Sequence, residues 1–208
     1  MADFSEDERV NSILKQNFAR TVSDPESWVS IASQLIYAAS KFEADIASLW
    51  QPILKPDKPG VTDFSAYEID ALHLQDTYLM LLGFAIENIL KAGIVKKNAT
   101  SFHESALSHA RLPSELVNHN LTRLAELACS DLAPDDIRLL KKLETNLRWA
   151  GRYPVPLQPE LVQSGTRLKN QISTSARFFN SSDISNTKQL VSRLLDNLGL
   201  KLNKRSGS

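Results

Sequence analysis

The chain has 208 residues, 42% of them hydrophobic and 23% charged, with a formal net charge of zero. This is room for one helical domain with elaborations, and it supplies enough apolar material for a real core. The single Cys129 excludes an internal disulfide framework and fits a reducing compartment.

The amino terminus reads Met1-Ala-Asp-Phe-Ser-Glu-Asp-Glu8, acidic where a secretory signal needs positive charge, so a cytoplasmic protein is expected. The longest apolar run, Tyr78 to Ile86, falls short of the roughly 18 to 20 residues that cross a bilayer, so no membrane segment is expected.

Helical periodicity dominates, and no alternating strand-like run with turn punctuation occurs. A first short helix is predicted from Ser5 to Arg20. The second starts on Asp24 as N-cap with Pro25 at the first helical position, and carries Ile31, Leu35, Ala38, Phe42, Ile46 and Leu49 as its apolar face. Pro52, Pro56, Pro59 and Gly60 are expected to end it in a loop. Ser65 and Glu68 form a capping-box pattern that opens the longest helix, predicted to reach Val95. Its centre is apolar on every side, which makes it the spine of a bundle. A loop with a second capping-box pattern at Ser101 and Glu104 follows.

The fourth helix is predicted to be capped by Ser114, with Val117, Leu121, Leu124 and Ala128 as its stripe. Pro134 with Asp135 and Asp136 opens a fifth, bearing Leu140, Leu143, Leu147 and Ala150. Residues 160–179 read as weakly helical, with a break at Asn180-Ser-Ser182. A last helix from Asp183 to Leu198 carries Leu190, Val191, Leu194 and Leu195 and stops at Gly199. Residues 203–208 are expected to be disordered.

Charge is unevenly spread. Residues 1–70 carry 12 acidic against 6 basic side chains, and residues 164–208 carry 8 basic against 2 acidic. The basic end can touch phosphates, dock on the acidic amino-terminal part or meet a second subunit.

The segment Trp149-Ala-Gly-Arg152-Tyr153-Pro154-Val-Pro156 combines aromatic and guanidinium groups with residues that restrict the backbone, so Arg152 and Tyr153 are held in one direction. That suits either a packed corner or a site. On the central helix, Glu87 and Lys91 stand four apart in the favourable order, as a boundary salt bridge or as part of a site. Gly83, just before them, suits close approach of a neighbouring helix or of a second subunit. His119 and Asn120 fall at the edge of the fourth helix's apolar stripe, where an imidazole either bonds a neighbour or moves a proton. The four histidines form no two-ligand pair at helical spacing, and no phosphate-binding glycine loop or nucleophile elbow occurs, so neither metal nor cofactor is expected.

Three elements together carry a resemblance: Gly83-Phe-Ala-Ile-Glu87-Asn-Ile-Leu-Lys91, then Asn118-His119-Asn120-Leu121-x-x-Leu124, then Leu143-Glu-x-x-Leu147-x-Trp149-Ala-Gly-Arg152-Tyr153-Pro154. Over roughly residues 65 to 156 the chain resembles the HEPN superfamily, in particular its uncharacterised bacterial members. The resemblance implies an all-α, HEPN-like helical bundle with a long central helix and extra flanking helices. The chain is divided accordingly into a short amino-terminal helix (1–23), the bundle (24–163) and a basic helical extension (164–208).

The resemblance further implies a homodimer that binds RNA or a nucleotide, and a place in toxin–antitoxin or phage-defence systems with an antitoxin or other protein as partner. Active members of the superfamily cleave RNA without metal through an arginine followed by four to six residues and a histidine. Here seven residues separate Arg111 from His119. Two readings therefore lead, and a small-molecule-binding bundle, which needs an apolar pocket, is a third. In one, the protein is a metal-independent ribonuclease in which His119 takes the 2′-hydroxyl proton and Arg152 or Arg111 stabilises the phosphate. Asn120 and Tyr153 then orient substrate, with Glu87 and Lys91 behind them. In the other, it is a dimeric interaction module without chemistry.

Overall fold

The computed structural model describes residues 6–54, 66–129, 131–147 and 181–202. Within them the chain is all-α, with no strand. The helices are α1 (Glu6–Ser23), α2 (Pro25–Ser40), α3 (Glu43–Leu54), α4 (Ala66–His109), α5 (Ser114–Val117), α6 (Leu121–Ala128), α7 (Pro134–Thr145) and α8 (Ser181–Leu198). α1, α2, α3, α6, α7 and α8 all pack against α4. From Tyr78 to Val95, α4 buries Tyr78, Leu79, Leu82, Ala85, Ile86, Ile89, Leu90, Ala92, Ile94 and Val95. At about 1.5 to 3 kcal/mol for each large apolar side chain removed from water, this helix contributes the largest share of the core. By length and hydropathy the stretch Leu74–His109 could cross a membrane, although no unbroken apolar run in it reaches that length. Since 78% of its most apolar window is buried inside the bundle, it is a core helix.

Several boundaries follow from the capping chemistry. Asp24 caps α2, accepting from the Glu26 amide at 3.1 Å, with Pro25 at the first helical position. Pro134 opens α7. Gly199, at φ 58°, closes α8: its amide donates to the Asp196 carbonyl at 3.1 Å and the Leu200 amide to Leu195 at 2.9 Å, the two bonds of a Schellman cap.

Other expectations are corrected. The single second helix is two, because the chain turns at Lys41-Phe42 without a Gly or Pro to announce it. α2 buries Val29, Ala32 and Ala39; of the expected face, Leu35 and Phe42 are half-buried against the core and Ile46 is buried, whereas Ile31 is exposed. Pro52 lies inside α3 and does not end it. The loop expected after Val95 is a kink at Asn98 (φ −128°, ψ 20°), and helix resumes to His109. The Asn98 side-chain amide donates to the Ile94 carbonyl at 2.8 Å and the Ser101 hydroxyl to the Asn98 carbonyl at 3.0 Å, so Ser101 braces the kink and does not cap a new helix. Ser114 starts α5 with no side-chain cap, and Val117 is exposed. Ser181 and Ser182 belong to α8. Pro56, Pro59, Gly60, Ser65, the segment Trp149–Pro156, residues 160–179 and residues 203–208 lie outside the described residues.

One cation of the basic end reaches the acidic part. Lys188 of α8 pairs with Glu43 of α3 at 2.9 Å, and Glu43 also accepts from the Tyr78 hydroxyl at 3.1 Å. Burial, and then the neighbouring Glu43, pushes the Tyr78 phenol well above its ordinary range. On the other side of α8, Arg193 pairs with Asp136 and Lys142 with Asp183.

Both glycines of α4 answer to close packing within this chain. A Cβ on Gly83 would stand 3.1 Å from the Leu147 side chain, just past the end of α7. On Gly93 it would stand 2.7 Å from Leu198, the last residue of α8. A Gly→Ala change in a helix gains about 1 kcal/mol in propensity. At Gly83 this gain and the mild crowding cancel. At Gly93 all three outer carbons of Leu198 are within 3.2 Å, so that side chain must shift, and overpacking costs about 1 to 3 kcal/mol. Urea unfolding should therefore find Gly83→Ala close to wild type and Gly93→Ala less stable. Equal midpoints for both variants would contradict this packing.

Candidate functional site

Glu87 and Lys91 lie one turn apart on α4, and both are buried, at 5% and 4% exposure. Two charges leave water only if they satisfy each other, and here the Lys91 ammonium donates to Glu87 Oε1 at 2.7 Å. Lys91 Nζ also stands 5.7 Å from the centre of the Trp28 ring, within cation–π range. Trp28 is held in turn, its indole N–H donating to the Val22 carbonyl at 3.1 Å, at the end of α1.

The same Glu87 Oε1 takes a second donor: His119 Nδ1 is 3.0 Å away. His119 nevertheless has 75% of its side chain in solvent. The ring is tethered by one nitrogen and open at the other. A carboxylate can only accept, so Nδ1 carries the hydrogen, which leaves Nε2 as the acceptor whenever the ring is neutral. Glu87 Oε2 is buried with no hydrogen-bond partner.

His119 was expected on a helix. It lies instead in the three-residue connection 118–120 between α5 and α6, and that connection is fixed by its own side chains. Asn118 Oδ1 accepts from the Asn120 amide at 2.8 Å, a local turn. Asn120 is the N-cap of α6, its Oδ1 accepting from the Arg123 amide at 2.7 Å. The Asn120 side-chain amide donates to Glu144 of α7 at 3.0 Å, and the Thr122 hydroxyl reaches the other Glu144 oxygen at 3.4 Å. Asn120 is thus spent on holding the loop.

Of the residues singled out in the sequence, Glu87, Lys91 and His119 come together, with Asn120 beside them as the anchor. Arg111 lies exposed in the 110–113 connection, and no bond joins it to this group. Arg152 and Tyr153 lie outside the described residues. Arg123, the cation closest to His119 in sequence, pairs with Glu126 at 2.9 Å on the surface. Trp28, Asn118 and Glu144 were missed. Nothing in the sequence ties Trp28 to Lys91, but an Asn two residues before an Asn that precedes Leu-x-x-Leu is a readable turn-and-cap signal.

Two open grooves lie away from this site. One, about 610 Å³ between α7 and α8, is lined by the Asp136–Arg193 and Lys142–Asp183 pairs, so these charges are already matched. The other, about 640 Å³, is lined by Gly93, Lys96, Lys97, Cys129 and the end of α8. Its lysines serve helix ends: Lys96 donates to the Leu198 and Gly199 carbonyls, both at 2.9 Å, and Lys97 to Ala128 at 2.5 Å. Among the described residues, no three His, Cys, Asp or Glu side chains gather as a metal site.

The buried pair sets the first expectation for this region. Lys91→Met leaves the Glu87 carboxylate uncompensated and should cost about 3 to 5 kcal/mol in urea unfolding. The double change Glu87→Gln with Lys91→Met should recover much of that loss, because neither remaining group is charged. A single variant as stable as wild type would show that the pair carries no such load. Cys129 sets a second. Burial raises its thiol above the ordinary value, Lys97 opposes that and Asp131 adds to it. A raised pKa means less thiolate at a given pH, so alkylation at pH 8 should be slower than for a free cysteine and should climb at higher pH.

No family model matches the chain, and no curated protein or solved structure is similar to it. The functional reading therefore rests on the arrangement of Glu87, Lys91 and His119.

Proposed function

We propose that the protein is a cytoplasmic HEPN-like bundle that binds RNA or a nucleotide and cleaves RNA without metal, as a toxin or phage-defence effector would. One observation carries this reading: an imidazole that is open to solvent yet fixed by a buried carboxylate. A histidine with only a packing role gains nothing from exposure, whereas a general base needs an oriented ring, a defined tautomer and access to substrate. The Glu87–His119 bond supplies the orientation and the tautomer, and the 118–120 loop supplies the access.

In the proposed reaction His119 Nε2 takes the proton of a ribose 2′-hydroxyl. The 2′-oxygen attacks the adjacent phosphorus, and the bond to the 5′-oxygen breaks. That oxygen takes up a proton from solvent, leaving a 2′,3′-cyclic phosphate and a 5′-hydroxyl. Lys91 neutralises Glu87, so the carboxylate can hold the imidazolium without an unpaired negative charge in the core. Arg152 or Arg111 is the proposed phosphate ligand, with Tyr153 as a substrate contact.

The test compares wild-type protein with His119→Ala on a mixed-sequence RNA in the presence of chelator. The expected result is chelator-resistant cleavage with cyclic-phosphate ends, reduced about 100-fold or more in the variant. Because His119 is exposed, the variant should keep the wild-type melting temperature within a few degrees. Equal cleavage by both would remove His119 from the reaction. No cleavage by wild type would leave a binding protein without chemistry.

A further inference from the structure

α1 has two apolar faces, and the bundle uses one. Ala19 and Val22 are buried against the core, with Phe18 half-buried beside them. Val10, Ile13 and Leu14 are exposed at 49%, 56% and 60%, and every residue from Glu6 to Asn17 is exposed. At about 100° per residue, Val10 lies half a turn of the wheel from Ala19, and Ile13 half a turn from Val22. The outward apolar face is therefore a second surface and not the edge of the first.

The charges along that outward face are arranged about its centre. Glu6 and Arg20 each stand one heptad from Ile13, on the same side of the helix. Both are exposed, and neither forms a salt bridge among the described residues. A two-fold axis through Ile13 that lays a second α1 antiparallel on the first brings Glu6 of each copy against Arg20 of the other. It also stacks Ile13 on Ile13, with Val10 and Leu14 flanking, and opposes the two helix dipoles favourably. A parallel pair would set Glu6 against Glu6 and Arg20 against Arg20.

We infer that this face of α1 is the surface on which two copies of the chain associate, as an antiparallel helix pair centred on Ile13. The inference stands apart from the chemistry at His119, because α1 contributes no side chain to that site.

Sedimentation of the full-length chain from micromolar to sub-millimolar concentration should show a monomer–dimer equilibrium. Ile13→Asp should leave only monomer with an unchanged helical circular dichroism spectrum. Arg20→Glu and Glu6→Lys should each weaken association about tenfold, and the two together should restore it, since the reversed pairs match again. A monomer at every concentration, a dimer indifferent to Ile13→Asp, or a double reversal no stronger than the single ones would each overturn the inference.

Discussion

A helix that is apolar on nearly every side has no stable place except at the centre of other helices, and α4 imposes that condition on the whole chain. Covering it takes α1, α2, α3, α6, α7 and α8. Every buried helix position removes a side chain from water at a gain, but it also removes any charge that the sequence puts there. Glu87 and Lys91 fall on that helix, and i, i+4 spacing is what allows each to be the other's counter-charge without help from elsewhere. Trp28 completes the enclosure with a ring face, which accepts a cation without needing a second acid.

His119 owes its position to the same requirement. Oε1 of Glu87 already receives Lys91, and a carboxylate oxygen has room for a second donor. The 118–120 loop brings one. Because Asn118, Asn120 and Glu144 fix that loop through bonds to α6 and α7, the ring need not be buried to be held. The usual cost of ordering an exposed side chain is met by a backbone already fixed by a turn and a cap. Asn120 illustrates how a residue of the right chemical type can be misassigned: its amide could contact a ligand, but both ends of the side chain are engaged in structure.

Punctuation was legible at three termini, whereas Pro52 and the Ser101/Glu104 pattern misled. Asp24-Pro25, Pro134 and Gly199 each determine a terminus by local chemistry that needs no tertiary partner, and each stands where the sequence indicates. Boundaries set by packing were not legible. The turn between α2 and α3 uses Lys41 and Phe42, residues that continue a helix elsewhere, and the kink at Asn98 is one residue wide within a strongly helical stretch. On α2, Ile31 was wrongly placed in the core because the buried side there is built partly of alanine, at Ala32 and Ala39, while the bulkier Ile31 faces out. At the site, the Glu87–Lys91 pair could be read because spacing along one helix determines it. The link to His119 spans 32 residues and depends on the loop, and Trp28 depends on how α2 lies across α4. Gly93 gave no sequence signal as clear as Gly83, although its contact is the tighter one.

Glu87 performs two tasks that cannot be separated by changing Glu87 itself. It is the counter-charge that makes Lys91 tolerable inside the bundle, and it is the acceptor that fixes the His119 ring. Loss of its charge disturbs core and imidazole together, so a defect in a Glu87 variant says little about which task failed. The two tasks separate best at His119, which is mostly in water, whereas Lys91 is buried and its loss unbalances the core. A stability defect at Lys91 together with an activity defect at His119 that leaves stability intact would assign the carboxylate to both. The buried, unbonded Oε2 points the same way, because packing alone favours an apolar residue over a carboxylate with one oxygen unsatisfied. On the proposed reading, the acid is retained there to hold the imidazole, and the burial of its second oxygen is the cost of that hold.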